Sequence, residues 1–375
     1  MNQATAALPG EQSIAGKIES IQSLRAIAAF AVIFHHVGLV LESYYTEPLS
    51  TPLKLLSGMC ASGVDLFFVI SGYIIYRSTS RLSPGFSSAR EFIQKRALRV
   101  YPTYWVWTSV LLLLWVGGLA LKSHEYSPSV IIGSYLLVPV SRADGSLHPV
   151  LDQGWTLAFE MYFYLVFAGL ILLNLRRKGP AWISLPFLTI AAVGLLPAVP
   201  VNVRSVISSP LILEFLLGIC IGWCLNRWPS APRPVSAVRF GLAAIGASIL
   251  TVAFLQGEIE GTGADRLVLY GVPSASIVML ALLSRPVRAF RYFARLGDAS
   301  YSIYLTHGFF TLALGTLLKR GMDLHGAPAD LILLLASTAI LVISSTTYWL
   351  VEKPLAKLLA RPANAPQPIG RSQSS

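Results

Sequence analysis

The strongest constraint on this chain is a repeated length. A helix that crosses a hydrocarbon core of ~30 Å needs about 20 consecutive apolar residues. Stretches of that kind recur at 24–41, 58–76, 101–121, 155–175, 181–200, 210–226, 239–256, 267–284, 300–318 and 329–350. Ten such runs make an all-α, polytopic membrane bundle the expected fold, because only helices and closed barrels satisfy every backbone polar group inside lipid. An eleventh apolar stretch, 129–140, is shorter and bracketed by Pro128 and Pro139. It is expected to be re-entrant or interfacial.

The rest of the composition agrees. Only 13% of the residues are charged, about half the share of a soluble domain, and the mean hydropathy is +0.62. Cys60, Cys220 and Cys224 are too few for a disulfide framework and lack the paired partners of a zinc site, so they read as core thiols, and no metal is expected. The formal charge of +11 admits nucleic acid or anionic lipid as partners, and its distribution chooses between them. With the N-terminus in the cytoplasm and 122–154 outside, all but seven of the 29 Lys and Arg fall on the inner side. The seven are Lys54, Lys122, Arg142, Arg204, Arg266, Lys319 and Arg320. This is the positive-inside pattern. It places both termini in the cytoplasm, and no nucleic acid is needed.

The first span is expected to be retained. Glu11, Lys17 and Glu19 precede it, Arg25, His35 and His36 lie within it, and no small-residue cleavage pattern follows. No internal repeat is visible, unlike the common repeat-built transporters. Residues 1–19 and 359–375 read as disordered cytoplasmic ends around a membrane domain over 20–358.

Ionisable groups inside a span cost several kcal/mol unless paired or hydrated, and each is a functional candidate. Here they are Arg25, His35, His36, Asp65, Glu160, Glu214 and His307. Eleven helical steps of about 100° bring His36 to within roughly 20° of Arg25's face and about 16 Å along the axis. His35 is about 80° off that face. Asp65, running inward from Gly63, and Glu160, running inward from Trp155, are expected at similar depths in the outer half. There, either could orient His36, since a carboxylate bonded to imidazole fixes its tautomer and raises its basicity. A charge-paired structural core is the competing account. On the inner side Arg96 and Arg99 are i, i+3 neighbours able to grip phosphates, or simply to anchor the helix on anionic lipid. The last span is expected to stop at Glu352-Lys353-Pro354.

These segments together resemble the acyltransferase type 3 family of bacterial integral-membrane proteins, over about residues 20–358. The matching pieces, in order, are Leu24-Arg25 with His36, Gly63-Val64-Asp65-Leu66-Phe67-Phe68 with Ser71-Gly72, and Arg96-x-x-Arg99 before Tyr101-Pro102. Trp155-Thr156-Leu157 with Glu160 and Tyr162, Ser300-Tyr301-Ser302-Ile303-Tyr304-Leu305 with His307, and Glu352-x-Pro354 follow. The flavour is closest to members that acetylate exopolysaccharides. One departure is His35 beside His36, which leaves the catalytic assignment to the eleven-residue spacing. Another is the lack of the fused extracytoplasmic hydrolase-like domain of some relatives, so transfer is expected to finish within the membrane domain.

The resemblance implies a multi-pass protein of the bacterial inner membrane. It implies transfer of an acyl group, usually acetyl, from cytoplasmic acyl-CoA to a hydroxyl of an exopolysaccharide, lipopolysaccharide or related glycan. Acyl-CoA is then a co-substrate, with no tightly bound cofactor. Arg25, Arg96 and Arg99 are expected to hold the CoA phosphates, and the pantetheine arm to thread inward. His36, oriented by Asp65 or Glu160, is expected to deprotonate the acceptor. Trp155, Tyr301, Tyr304 and His307 are the candidate substrate-binding residues. Direct attack and a covalent acyl-enzyme both remain open, although no Ser or Cys stands in a favourable motif. The rival class is a transporter or flippase, which would move a glycan or small solute unchanged.

Overall fold

The computed structural model describes residues 9–121, 124–227, 235–256, 263–284, 290–322, 324 and 326–359. Every regular element among them is helical. The helices are α1 Pro9–Tyr44, α2 Thr51–Met59, α3 Gly63–Thr79, α4 Phe86–Val116, α5 Pro128–Leu136, α6 Gly154–Leu172, α7 Pro180–Gly194 and α8 Val201–Ile207. They continue as α9 Ile212–Arg227, α10 Val235–Gln256, α11 Ala264–Arg266, α12 Val272–Leu283, α13 Phe290–Asp298, α14 Ser300–Lys319, α15 Ala329–Thr347 and α16 Lys353–Leu359. The all-helical expectation holds. Helix α1 reaches back to Pro9, into the segment expected to be irregular. Residues 1–8 and the tail from 360 onward lie outside the described residues.

Among the described residues, six helical runs are long and apolar enough to cross a bilayer: Glu19–Tyr44, Thr51–Thr79, Gly154–Leu172, Val201–Arg227, Ala264–Leu283 and Ala329–Leu359. Their outward faces carry large apolar side chains. Leu165, Leu335 and Leu350 are 59%, 62% and 74% exposed, a surface that suits lipid contact and not water.

Helix α5 has nine residues, about 14 Å of rise, too short to span. Ser127 caps its first turn and Leu137 ends it in the left-handed region at φ 57°. The basic turn 90–99 and the apolar run after it form one continuous helix, α4, of 31 residues with Pro102 inside it. The last span does not stop at Pro354. A π-helical turn over Tyr348–Glu352 joins α15 to α16, which carries the helix on to Leu359. Pro354 sits at the start of α16, behind that widened turn. There its missing N–H and its ring are tolerated, as they are in a helix's first turn.

Helices α3 and α9 cross closely, and glycines allow it. A Cβ on Gly72 would fall 2.0 Å from the carbonyl oxygen of Phe215, and one on Gly218 the same 2.0 Å from that of Val69. Gly218 and Gly222 are one turn apart and face α3, the spacing by which small residues let backbones approach in lipid. Helix α3 is thereby pinned in the middle of the bundle, against α1 on one side and α9 on the other. Its remaining face borders a cavity.

Candidate active site

That cavity has a volume of about 590 Å³. Helix α3 lines it from Val64 to Ser78, fourteen helical steps, so it is about 20 Å deep. One end carries Arg25 from α1, Arg77 and Ser78 from α3, and Arg96 and Arg99 from α4. The other end is closed by Phe67, Thr156 and Tyr304, with the Tyr304 hydroxyl 2.8 Å from Thr156 Oγ1. A tunnel with a cationic mouth and a largely apolar shaft results.

The mouth is partly preorganised. Arg96 Nη2 donates to Ser78 Oγ at 3.0 Å, and its guanidinium lies over the rings of Phe92 and Tyr164 at 5.5 and 5.6 Å. Arg25 Nη1 donates to Gln22 Oε1 at 3.1 Å. Arg99 is exposed beside them. Like charges held this close, with much of their donor capacity unspent, favour a polyanion. Arg77 is one of the cations on the inner side of the positive-inside pattern. Its place at the mouth follows from α3's period, since Ser71, Ile74 and Ser78 line the same cavity.

Glu160 lines this cavity too. It accepts a hydrogen bond from Ser71 Oγ at 3.2 Å and another from the Tyr164 hydroxyl. The sequence reading separated Glu160 from the arginines and put it beside His36. The structure places it instead among the arginine-lined residues, because α6 turns that face toward α3 and α4. Asp65 is also elsewhere. Both its oxygens are taken by Arg266, at 2.9 Å from Nε and 2.7 Å from Nη2, on the side of α3 away from the tunnel. Neither carboxylate is the partner of His36.

The backbone orients that histidine instead. His36 Nδ1 lies 2.8 Å from the Val32 carbonyl oxygen, one turn back on α1. A carbonyl only accepts, so Nδ1 bears the hydrogen and Nε2 keeps its lone pair. His307 repeats the device, with Nδ1 2.6 Å from the Tyr304 carbonyl oxygen. Its Nε2 is fully buried and has no hydrogen-bond partner among the described residues. The His36 and His307 rings are 4.9 Å apart at 70°. The pair sits one turn past Tyr304, beyond the closed end of the tunnel. His35 Nδ1 lies 3.0 Å from the Ser57 carbonyl oxygen, and its ring meets that of His36 edge to face at 5.2 Å.

The carboxylate that acts on both histidines electrostatically is Asp152, in the loop before α6. Sequence reading missed it because no span contains it, although it stands three residues before Trp155. Asp152 Oδ1 bonds His148 Nδ1 at 2.6 Å, and this bond holds the His148 imidazole above its ordinary range. The neighbouring Gln153 packs its amide against Gly308, where any Cβ would fall 2.1 Å from Nε2. Tyr301 lines the large cavity and donates to the Val100 carbonyl at 2.7 Å. Trp155 lies outside it, in a second cavity of about 160 Å³ shared with His148 and Phe159. The arrangement therefore brings together Arg25, Arg96, Arg99, Glu160, Tyr301 and Tyr304, with His36 and His307 adjoining. Among the described residues no group of three or more His, Cys, Asp or Glu could hold a metal ion.

Comparison with known proteins gives this geometry its chemistry. The family described as an acyltransferase domain, type 3, matches residues 18–349. The exopolysaccharide production protein ExoZ of Rhizobium meliloti (strain 1021) is 35% identical over 303 residues, covering 79% of this chain and 89% of its own. A putative membrane-bound transacylase, BcsY of Komagataeibacter xylinus, is 27% identical over 358 residues, 89% of this chain and 81% of its own. The peptidoglycan O-acetyltransferase OatA of Listeria monocytogenes is 27% identical over 327 residues, 77% of this chain and 49% of its own. No solved structure matches. With the family covering nearly the whole described bundle, the chain belongs to the type 3 family of membrane acyltransferases.

Proposed function

We propose that this protein is a ten-span O-acyltransferase of the bacterial inner membrane with both termini in the cytoplasm. It transfers an acyl group, acetyl in our reading, from cytoplasmic acyl-CoA to a hydroxyl of an exopolysaccharide or related glycan. The observation that carries this reading is the tunnel. Its cationic mouth lies on the side that the positive-inside count assigns to the cytoplasm, and its far end adjoins a histidine whose free nitrogen is Nε2. The names of the relatives ExoZ and OatA support a glycan as acceptor.

In this reading Arg25, Arg77, Arg96 and Arg99 hold the CoA phosphates, and the pantetheine arm fills the roughly 20 Å shaft. The thioester then reaches the Tyr304–Thr156 end. His36 Nε2 takes the proton of the acceptor hydroxyl as its oxygen attacks the thioester carbonyl carbon. The Tyr304 hydroxyl donates to the developing oxyanion. The C–S bond breaks, and the thiolate recovers the proton from His36 to leave as CoA–SH. Acceptor hydroxyl and acyl thioester become ester and thiol, with no net proton gained or lost. Asp152 supports the imidazolium at a distance.

The test is mass spectrometry of surface glycans from a deletion strain, complemented with wild type or with His36→Ala. The reading expects O-acyl esters to vanish on deletion and to return only with wild type. Glycan that is absent from the surface, and not merely under-acylated, would favour a flippase.

A further inference from the structure

Behind the tunnel wall lies a second buried cluster that transfer does not use. Asp65 on α3 and Glu214 on α9 are both 0% exposed, and Arg266, on the short α11 that leads into α12, is 6% exposed. Arg266 spends its fork on Asp65, in two bonds of 2.9 and 2.7 Å. Its Nη2 also reaches the Ala61 carbonyl at 3.2 Å, and its guanidinium lies 5.3 Å from the centre of the Tyr270 ring. Glu214 lies against Asp65 and within the field of Arg266, yet among the described residues no N–H or hydroxyl donor reaches either of its oxygens. Gly271 closes the other side, where a Cβ would fall 3.0 Å from Glu214 Cγ.

Two carboxylates therefore face one guanidinium at a site without solvent. Were both ionised, the cluster would carry a net negative charge inside the bundle. Glu214 would be an anion with no donor, an arrangement that costs several kcal/mol. Two carboxyl groups sharing a site relieve this by keeping one proton between them.

We propose that Glu214 is a proton-holding site: a neutral carboxylic acid whose hydroxyl donates to Asp65, completing a charge-neutral triad with Arg266. The groups that face it are Asp65 from α3, and Arg266 and Tyr270 from the segment leading into α12. The Tyr270 hydroxyl is itself turned to the Gly58 carbonyl at 3.3 Å. The triad joins three elements directly behind Val64, Phe67 and Phe68, which line the tunnel. It thus sets where α3 stands relative to the donor site.

The experiment is infrared difference spectroscopy of the full-length protein in nanodiscs at neutral pH. Wild type minus Glu214→Gln is expected to show loss of one protonated-carboxyl C=O band that shifts in deuterium oxide. Gln is nearly isosteric with the neutral acid, so this variant is expected to keep the wild-type thermal midpoint. Asp65→Asn is expected to abolish the same band, because Glu214 then becomes the sole counter-ion of Arg266 and ionises. An unchanged spectrum for Glu214→Gln would overturn the proposal. So would strong destabilisation or loss of folding in that variant, because an ionised Glu214 cannot be replaced by a neutral amide without cost. Survival of the band in Asp65→Asn overturns it as well.

Discussion

Replacing the two adjacent histidines one at a time separates catalysis from packing. His35 is 7% exposed and bonds the Ser57 carbonyl from its Nδ1 at 3.0 Å. His35→Ala leaves that carbonyl without a donor and opens a small void between α1 and α2, for a loss of about 2–4 kcal/mol of stability. Folded protein that survives should transfer acyl groups at close to the wild-type rate, since His36 loses a neighbouring ring but keeps its Val32 bond and its contact with His307. His36→Ala removes a base whose Nδ1 bond is to its own helix, at 2.8 Å, so no inter-helix bond is lost. The stability cost should be smaller than for His35, and the rate should fall on the order of 100-fold or more. The assay is acylated glycan per unit of membrane-inserted protein, alongside a thermal midpoint in detergent. His35→Ala should therefore be read chiefly in the thermal midpoint and His36→Ala chiefly in the rate. If His35→Ala is inactive at full folding while His36→Ala retains turnover, the base is assigned to the wrong face of α1. If both keep turnover, His307 Nε2 is the next group to test.

Arg96→Ala with Arg99→Ala should weaken acetyl-CoA binding about 10- to 100-fold in low salt, and less in high salt because the Debye length shrinks. Isothermal titration at two ionic strengths reads this, and an affinity that does not change would reduce these arginines to topology anchors. Glu160→Gln should alter donor affinity as well as turnover, since Glu160 shares the cavity with the arginines. A pure kcat effect would return it to the acceptor side. The His148–Asp152 bond raises the His148 value, so its stabilisation is complete below the unfolded value of about 6.5. It is lost as pH rises through the higher folded value. The difference in thermal midpoint between wild type and His148→Ala should be small, because both side chains are about half exposed. It should be largest near pH 6 and vanish in alkaline buffer.

The fold class was legible because lipid imposes a length on every helix, and that length repeats along the chain. Pairing between helices was not. The sequence placed Asp65, Glu160 and His36 at compatible depths, but depth along an axis leaves rotation free. Rotation sends Asp65 to Arg266 and Glu160 to the arginine mouth. Arg266 was counted as a loop charge because it stands just before an apolar run, and nothing in spacing reveals that it is 6% exposed. The separation of His35 from His36 was readable, since it needs only the geometry of one helix. What orients His36 was missed because a carbonyl one turn back leaves no mark in the residue types. Pro354 read as a stop because a π-turn cannot be seen in composition.

The central claim is that one tunnel receives acyl-CoA at its arginine mouth and delivers the acyl group beside His36. Vesicles of both orientations, loaded with acceptor glycan and given radiolabelled acetyl-CoA outside, test it most directly. The account predicts labelled glycan, with one CoA thiol released per ester formed, only when the arginine mouth faces the donor. Label on the glycan in the opposite orientation, or glycan that crosses the bilayer unlabelled, would contradict it.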